Sequence, residues 1–428
     1  MTLRLILSLC FAALLAGASA PASPLLYHAK EFRVQLAAKV LPYWFDTAVD
    51  RTNGGYVLAD DLNGRGVATE KQLVSQARMV WGFSHAHRKG FSTLERDYLQ
   101  AAQGGYRFLL DHFLDREHGG YFWKTDLAGK VIDDRKILYG ESFVIYAFVE
   151  YYRASHDAEA LRRAMDLYQT LQQHAHDAKN TGWIEHFQRD WTPLPLRAPN
   201  AEVEIAGLKS ANTHLHLMEA LTELYAASRD QAVRKSLQEA VHINATYFYP
   251  LDPGQSCFHR EPDWAPVTDP ASAGLSYGHN VEFAWLLIRA EKTLGQRRSW
   301  RHFYADLDHA LKYGYDHERG GLYSRGFDDQ PATNTDKVWW VQAEMMAALT
   351  DALQHKRNPA YAEALDKLIH FLEAYQINPA DGIWLDTVTA DGRPKATGKA
   401  HNWKANYHDV RAMVKFIEAF APPGRKAP

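Results

Sequence analysis

Six glycine–aromatic turns recur along this chain of 428 residues: Gly54-Gly55-Tyr56, Gly119-Gly120-Tyr121, Gly182-Trp183, Gly254 with Cys257-Phe258, Gly320-Gly321-Leu322-Tyr323 and Gly382-Ile383-Trp384. Their first glycines lie 65, 63, 72, 66 and 62 residues apart. A repeat of this length is a supersecondary unit that cannot bury its own apolar face and has to stack on its neighbours. Six such units predict a closed ring, and the centre of a ring is where chemistry can be enclosed.

The segments between turns predict what the units are made of. After Gly119, residues 136–154 are apolar almost all round, whereas residues 158–174 place Leu161, Met165, Tyr168 and Leu171 on one face and charges on the other. A helix that is apolar all round is buried on both sides, and a one-faced helix lies outside. The same patterns predict further inner helices over residues 71–87, 209–227, 277–294, 337–353 and 403–420. Outer helices are predicted near 93–112, 231–247, 298–313 and 360–375, with residues 29–45 closing the outer ring. The expected fold class is all-α, an (α/α)6 barrel of six inner and six outer helices. An open solenoid is the alternative, and the want of a polar capping repeat favours closure. Two long proline-bearing connections, 192–208 and 251–276, break the rhythm; connections of this length are usually functional, and these are expected to lie over the barrel mouth.

Composition constrains the partners. The chain is 46% hydrophobic and 23% charged, as globular proteins are, and its net charge of -3 leaves no electrostatic footprint for nucleic acid. Aromatic residues reach 12%, which suits either sugar-stacking surfaces or a large core. At the start, Arg4 precedes an apolar run over residues 5–15, too short to span a bilayer, and Ala18-Ser19-Ala20 has the small residues of a cleavage site. Residues 1–20 are therefore expected to be a secretory signal and residues 21–428 a single catalytic domain, periplasmic or secreted, with no membrane partner once the signal is removed. Cys10 would leave with the signal. Cys257 alone supports neither an internal disulfide nor a metal cluster.

The inner helices carry polar groups where apolar ones belong. These are Arg78 in the first, Tyr139 and Glu141 in the second, Asn212, His214 and His216 in the third, and His279 and Glu282 in the fourth. The fifth has Trp339, Trp340, Gln342 and Glu344; the sixth has Trp403, Lys404, Tyr407, His408 and Arg411. Counted from the turn glycines, Arg78, Glu141, His279, Gln342 and His408 fall 24, 22, 25, 22 and 26 residues on, which predicts one shared level of the ring. His216, 34 residues past Gly182, is delayed by the insertion at 192–208. Buried ionisable groups are costly unless paired, so a convergent layer of them marks a site. His-Glu-x-x-His, Cys-x-x-Cys, Gly-x-Ser-x-Gly and phosphate-loop motifs are all missing from the sequence. What is left is acid/base chemistry by histidine and carboxylate, with no metal expected.

Several of these stretches resemble the N-acylglucosamine 2-epimerase family. They are residues 276–287 around Ser276-Tyr277-Gly278-His279-Asn280-Val281-Glu282, the helix from Asn212 through His216 to Glu219, the run Trp339-Trp340-Val341-Gln342-Ala343-Glu344, and Trp403-Lys404 with Tyr407-His408 and Arg411. The chain is most similar to the family's cellobiose 2-epimerases, and departs from the usual pattern at Glu141, Asn280 and Asn406. The resemblance implies an (α/α)6 barrel that epimerises C2 of a reducing sugar, or isomerises aldose to ketose, without metal or nicotinamide. It implies that His279 and His408 are the acid/base pair, and that Arg78 and His216 open the ring or hold substrate oxygens. Trp339 and Trp340 would stack on sugar.

The chemistry is consistent with those residue types. A C2 proton is acidic only beside the open-chain carbonyl, and inverting C2 needs removal on one face and return on the other. Two histidines on opposite walls suit this, with an arginine for the enediolate charge and Glu282, one helical turn from His279, to set its tautomer. The other expected substrate contacts are Tyr139, Glu141, Asn212, Gln342, Glu344, Trp403 and Tyr407. The expected partner is a small reducing sugar or disaccharide, and the expected assembly a monomer or weak homodimer. Two rival readings remain: an (α/α)6 glycoside hydrolase or lyase drawing on Glu141, Glu282 and Glu344, and a non-catalytic sugar-binding protein.

Overall fold

The structure, a computed structural model, describes residues 24–269 and 272–421; the expected signal segment, with Cys10, lies outside them. Inner helices α3 (Leu73–Arg88), α5 (Leu138–Ser155), α7 (Ala211–Ser228), α9 (Tyr277–Leu294), α11 (Trp339–His355) and α13 (His408–Phe420) pack side by side around a common axis. The outer layer is α1 (Pro24–Gln35) with α2 (Leu41–Ala48), then α4 (Tyr98–Phe108), α6 (Ala158–His174), α8 (Gln231–Ile243), α10 (Trp300–His309) and α12 (Pro359–Phe371). This is the expected (α/α)6 barrel. None of the described helices is long and apolar enough to cross a membrane.

Short strands, which the periodicity did not predict, tie each unit to the next. Lys71 and its neighbours pair antiparallel with Lys124–Asp126, Lys136–Ile137 with His186–Phe187, and Lys209–Ser210 with His259–Arg260. Leu275–Ser276 pairs with Arg325–Gly326, and Lys337–Val338 with Thr387–Val388. A bridge from Asp60 to Ala400 joins the first unit to the last and completes the circle. At that seam α3 meets the 403–407 segment so closely that a Cβ on Gly82 would stand 2.1 Å from the Asn406 carbonyl oxygen; only glycine fits. The last inner helix accordingly begins at His408, not at Trp403 as expected.

The lysines read from the sequence as helix starts belong to these strands, and they explain the turns. Lys71 Nζ donates to Asp50 at 2.8 Å and Lys136 to Asp115 at 3.1 Å. Lys209 donates to Asp177 at 2.9 Å and Lys337 to Asp316 at 2.8 Å. Each aspartate also accepts backbone N–H groups of its own turn, as Asp115 does from Glu117 and His118. Burial alone would raise the Asp177 carboxyl, but Lys209 and the turn amides hold it down to about 2. The glycines enter because the backbone reverses there with positive φ, 74° at Gly119 and 69° at Gly120. The turn aromatics Tyr56, Tyr121, Trp183 and Trp384 are then fully buried between helices.

The fourth turn is a different structure. Gly254 lies in a short 3-10 helix, Pro253–Gln255, and is not among the positive-φ glycines. No lysine precedes α9 in the equivalent strand, Leu275–Ser276. Asn280 Nδ2 instead donates to Ser256 Oγ at 3.0 Å.

Removing one partner of a buried ion pair leaves the other charge uncompensated, so Lys337→Met is expected to cost about 3–5 kcal/mol of stability. The half-exposed pair Lys395–Asp336 predicts a loss of at most about 1 kcal/mol for Lys395→Met. Chemical denaturation of the two variants checks this, and equal losses would contradict a structural role for the buried pair.

Candidate active site

The strand lysines set a register for the inner helices. Five positions on stand Gln76, Glu141, His214 and Gln342; seven positions on stand Arg78, Phe143, His216 and Glu344, and Arg411 lies the same distance after Lys404, which is outside the strands and donates to the Trp384 carbonyl. Two helical positions are roughly 200° apart around the axis, so the two sets face opposite ways. The first set holds turns: Tyr56 N–H donates to Gln76 Oε1 at 2.8 Å, Tyr121 N–H to Glu141 Oε1 at 2.8 Å, Trp183 N–H to His214 Nε2 at 3.3 Å and Leu322 N–H to Gln342 Oε1 at 2.7 Å. Glu141 and Gln342, expected among the substrate contacts, are therefore turn anchors with no exposed surface. The Gln342 amide is further engaged by donating to the Leu322 carbonyl at 2.7 Å.

The second set meets in the barrel centre around Arg411. Its Nη2 donates to Glu282 Oε1 at 3.0 Å and to Glu344 Oε1 at 2.7 Å. Its Nη1 donates to Tyr407 Oη at 2.5 Å and also reaches Glu219 Oε1. Tyr407 donates to Glu219 Oε2 at 2.8 Å, and the Trp285 indole N–H to Glu344 Oε2 at 2.9 Å. Burial would raise Glu219 and Glu344, yet Arg411 holds both near 2. Glu282 goes the other way: burial, then the adjacent Glu344 charge, push its carboxyl well up. With Glu282 protonated, Arg78 and Arg411 balance Glu219 and Glu344.

The expected acid/base residues lie on this base. His408 Nδ1 is 2.6 Å from Glu344 Oε1, and His216 Nδ1 is 3.0 Å from Glu219 Oε2. His279 has no such partner; its Nδ1 makes no hydrogen bond among the described residues. Glu282, expected to orient His279, is turned to Arg411 instead. The Trp340 indole lies against both histidine rings, 4.7 Å from His279 and 5.9 Å from His408 between centroids. Trp339, one position earlier and so rotated about 100°, lies by His401 and under the Lys404 ammonium. Burial draws His279 down to about 4 and His408 to about 3, the latter against the pull of Glu344. Both imidazoles are thus neutral at ordinary pH.

Arg78 spans the seam. Its Nη1 donates to the Trp403 carbonyl at 2.8 Å and its Nη2 to Tyr139 Oη at 2.9 Å, while the guanidinium rests 4.4 Å from the Phe143 ring centre. Trp403 and Tyr139 face each other at 6.3 Å. Asn212 donates to Glu204 Oε1 at 2.9 Å, and His259 Nε2 is 3.0 Å from Glu204 Oε2. Glu204 comes from the 192–208 connection and His259 from the 251–276 connection, so both irregular segments reach the third helix of the site. Neither residue was foreseen, and only the length of the two segments signals them. Glu219 enters the sequence reading only as part of the family-like helix, with no role, and Phe143 was missed; the seven-residue offset from the strand lysine finds Phe143.

Glu282, Glu344 and His408 offer ligand atoms within 4.8 Å of one another, a spacing that suits a cation. Here the positive charge is already supplied by Arg411. On the far side of Arg411 and Glu219 lies a second chamber of about 210 Å³, lined in part by Trp81, Tyr146 and Trp285. Its cations are already paired: Arg153 and Arg289 to Glu223, and Arg88 to Glu150.

The closed helical barrel thus gathers His216, His279 and His408 at the end of one buried, charge-paired core. The chain belongs to the N-acylglucosamine 2-epimerase (GlcNAc 2-epimerase) family, whose sequence model matches residues 54–412; it is a carbohydrate epimerase or isomerase. It is 28% identical to the cellobiose 2-epimerase of Dictyoglomus turgidum over 89% of this chain and 95% of that protein. It is 24% identical to the D-mannose isomerase of Marinomonas mediterranea over 92% of this chain and 98% of that one. The solved structure of the cellobiose 2-epimerase from Spirochaeta thermophila superposes with a TM-score of 0.82 at 30% identity, covering 94% and 99% of the two chains.

Burial, opposed by Lys136 and the Tyr121 amide, raises the Glu141 carboxyl from 4.5 to about 7. The folded state therefore keeps a proton that the unfolded chain gives up, and stability falls as pH rises between those values. Glu141→Gln keeps the acceptor and removes the titration. The variant is expected to be more stable than the parent at pH 8, by up to about 3 kcal/mol, with a smaller difference at pH 5 and unchanged kcat/KM. Thermal melts at the two pH values and sugar turnover check this; a large loss of kcat/KM would return Glu141 to the substrate contacts.

Proposed function

We propose that this protein is a sugar 2-epimerase acting on C2 of a free reducing sugar, of the class of cellobiose, mannobiose, glucose or mannose. The observation that carries the reading is the pair His279 and His408 beside the Trp340 indole, with His408 bonded through Glu344 to a buried charge network. The open-chain aldehyde makes C2–H acidic. One neutral imidazole takes that proton as the electron pair moves into the C1 carbonyl, giving an enediolate and an imidazolium; the other, after taking up a proton from solvent, returns it to the opposite face, and exchange with solvent resets the pair. Arg78, held by the Trp403 carbonyl and Tyr139, supplies a cationic donor for the enediolate oxygens. Glu344 on His408 Nδ1 stabilises the imidazolium, as a carboxylate does wherever it backs a catalytic histidine. Ketose formation would follow if the proton returned to C1 instead.

The hydrolase reading has less support. It needs two carboxylates free to act on a glycosidic oxygen, and Glu282 and Glu344 are bonded to Arg411 while Glu141 holds a turn.

Two measurements test the proposal. In D2O, NMR should show deuterium at C2 together with the C2 epimer. Replacing either histidine by Asn should lower kcat by about 10²- to 10⁴-fold, with residual exchange confined to one epimer in each variant. Deuterium at C1 with a ketose would make the enzyme an isomerase, and new reducing ends a hydrolase.

The pH profile is the second. A base works only when deprotonated, and burial holds His279 near 4, below the ordinary 6.5. The acid limb of kcat/KM is therefore expected well below pH 6, with activity retained at pH 5.5. A limb centred at 6.5 or above would contradict a base held neutral by desolvation.

A further inference from the structure

We propose that His28, Asp366 and His370 form a structural site for a transition-metal dication of the zinc class, pinning the first outer helix of the ring to the last. The three residues lie on the outside of the barrel, away from the Arg411 network. His28 is on α1; Asp366 and His370 are four residues apart on α12 and so share one helical face. One ligand atom from each lies within 4.8 Å of the others. His28 Nε2 is 3.3 Å from Asp366 Oδ1, and the two imidazoles meet edge to face at 5.1 Å.

Two further features distinguish this trio from an ordinary surface ion pair. His28 is only 4% exposed, and its Nδ1 makes no hydrogen bond among the described residues. Facing that nitrogen at 3.5 Å is Glu373 Oε1. A metal-bound imidazole typically points its other N–H at a carboxylate; with Nε2 as ligand, Glu373 is in that place. His370 is largely exposed, with its Nδ1 2.9 Å from the Asp366 carbonyl oxygen; a side-chain rotation would close the ligand atoms to the tetrahedral edge of about 3.3–3.4 Å that bonds of about 2.0–2.1 Å require, with water as fourth ligand. Two imidazoles and one carboxylate suit zinc, nickel or copper, whereas magnesium prefers an all-oxygen octahedron.

The position gives the metal a structural effect. α1 also packs on α13, Phe32 meeting Phe416 at 5.7 Å, and Arg33 donates to the Ala421 carbonyl at 3.0 Å. A metal bridging His28 and Asp366 would add a cross-link where the two ends of the ring meet. Binding to the folded state alone raises stability with metal concentration.

The test uses the full mature chain, free of any affinity tag and stripped with EDTA. Equilibrium dialysis against ZnCl2 should find one zinc per chain, and the melting midpoint should rise with ZnCl2 and not with MgCl2. His370→Ala and Asp366→Asn, both at partly exposed positions, should abolish the binding and the shift while leaving metal-free sugar turnover unchanged. No zinc bound at about 100 µM would overturn the proposal. So would zinc that His370→Ala retains, and if that zinc also stopped turnover it would lie at Glu282, Glu344 and His408.

Discussion

One guanidinium holds the centre of this protein together. Arg411 draws carboxylates from three inner helices, Glu219 on α7, Glu282 on α9 and Glu344 on α11, to its own helix α13. Taking so many charges out of water is expensive, and the attraction among them repays the cost only where every group is satisfied. Here the guanidinium also lies 4.7 Å from the Trp285 ring centre and 4.5 Å from that of Tyr407. Remove it, and three buried acids remain without their cation. The network therefore contributes specificity to the barrel, because four inner helices must reach one register before any of its members is compensated.

The same network fixes the histidines. His408 is one turn before Arg411 on α13 and shares Glu344 with it; His216 is one turn before Glu219 on α7 and shares that carboxylate with Arg411. Each imidazole thus has an oriented Nδ1 and presents its other edge away from the network. His279 is held by packing, between Trp340 and the end of α9, which leaves its protonation to burial and to distant charges. The two proposed acid/base groups are therefore unlike. One is backed by a carboxylate that favours its charged form, and the other is held neutral by its surroundings.

The ring was legible because the glycine–aromatic turns are forced by backbone geometry: a reversal with positive φ at consecutive residues admits little besides glycine. The depth of the site was less legible, because a count from those glycines cannot resolve which face of a helix a residue occupies. Glu141 and Gln342 fall at the right level and point outward to the Tyr121 and Leu322 amides. The better origin is the strand lysine, whose bond to the turn aspartate locks the phase of the helix that follows. That lysine reads as an ordinary helix residue until its partner, some twenty positions earlier, is seen beside it. Glu204 and His259 had no local signal at all. They meet Asn212 through the folding of two long connections, and no periodicity records that meeting.

Division of labour along each inner helix follows from this phase. The position five after the lysine faces the outer layer and must accept a backbone N–H, which is why Gln, Glu and His alternate there. The position seven after it faces the lumen and is free to vary with the chemistry, giving Arg78, Phe143, His216 and Glu344. The fourth unit, which has lost both its lysine and its left-handed glycine, contributes His279 and Glu282. Asn280 there bonds Ser256, from the rebuilt turn, and lies 3.5 Å from the Asp306 carboxyl. His279 is thus carried by a unit whose turn is not locked by a lysine–aspartate pair, and its ring lies 4.7 Å from Trp340 of the neighbouring helix. His279, oriented by an aromatic wall alone, is less constrained than His408, which is tied to Glu344 and through it to Arg411.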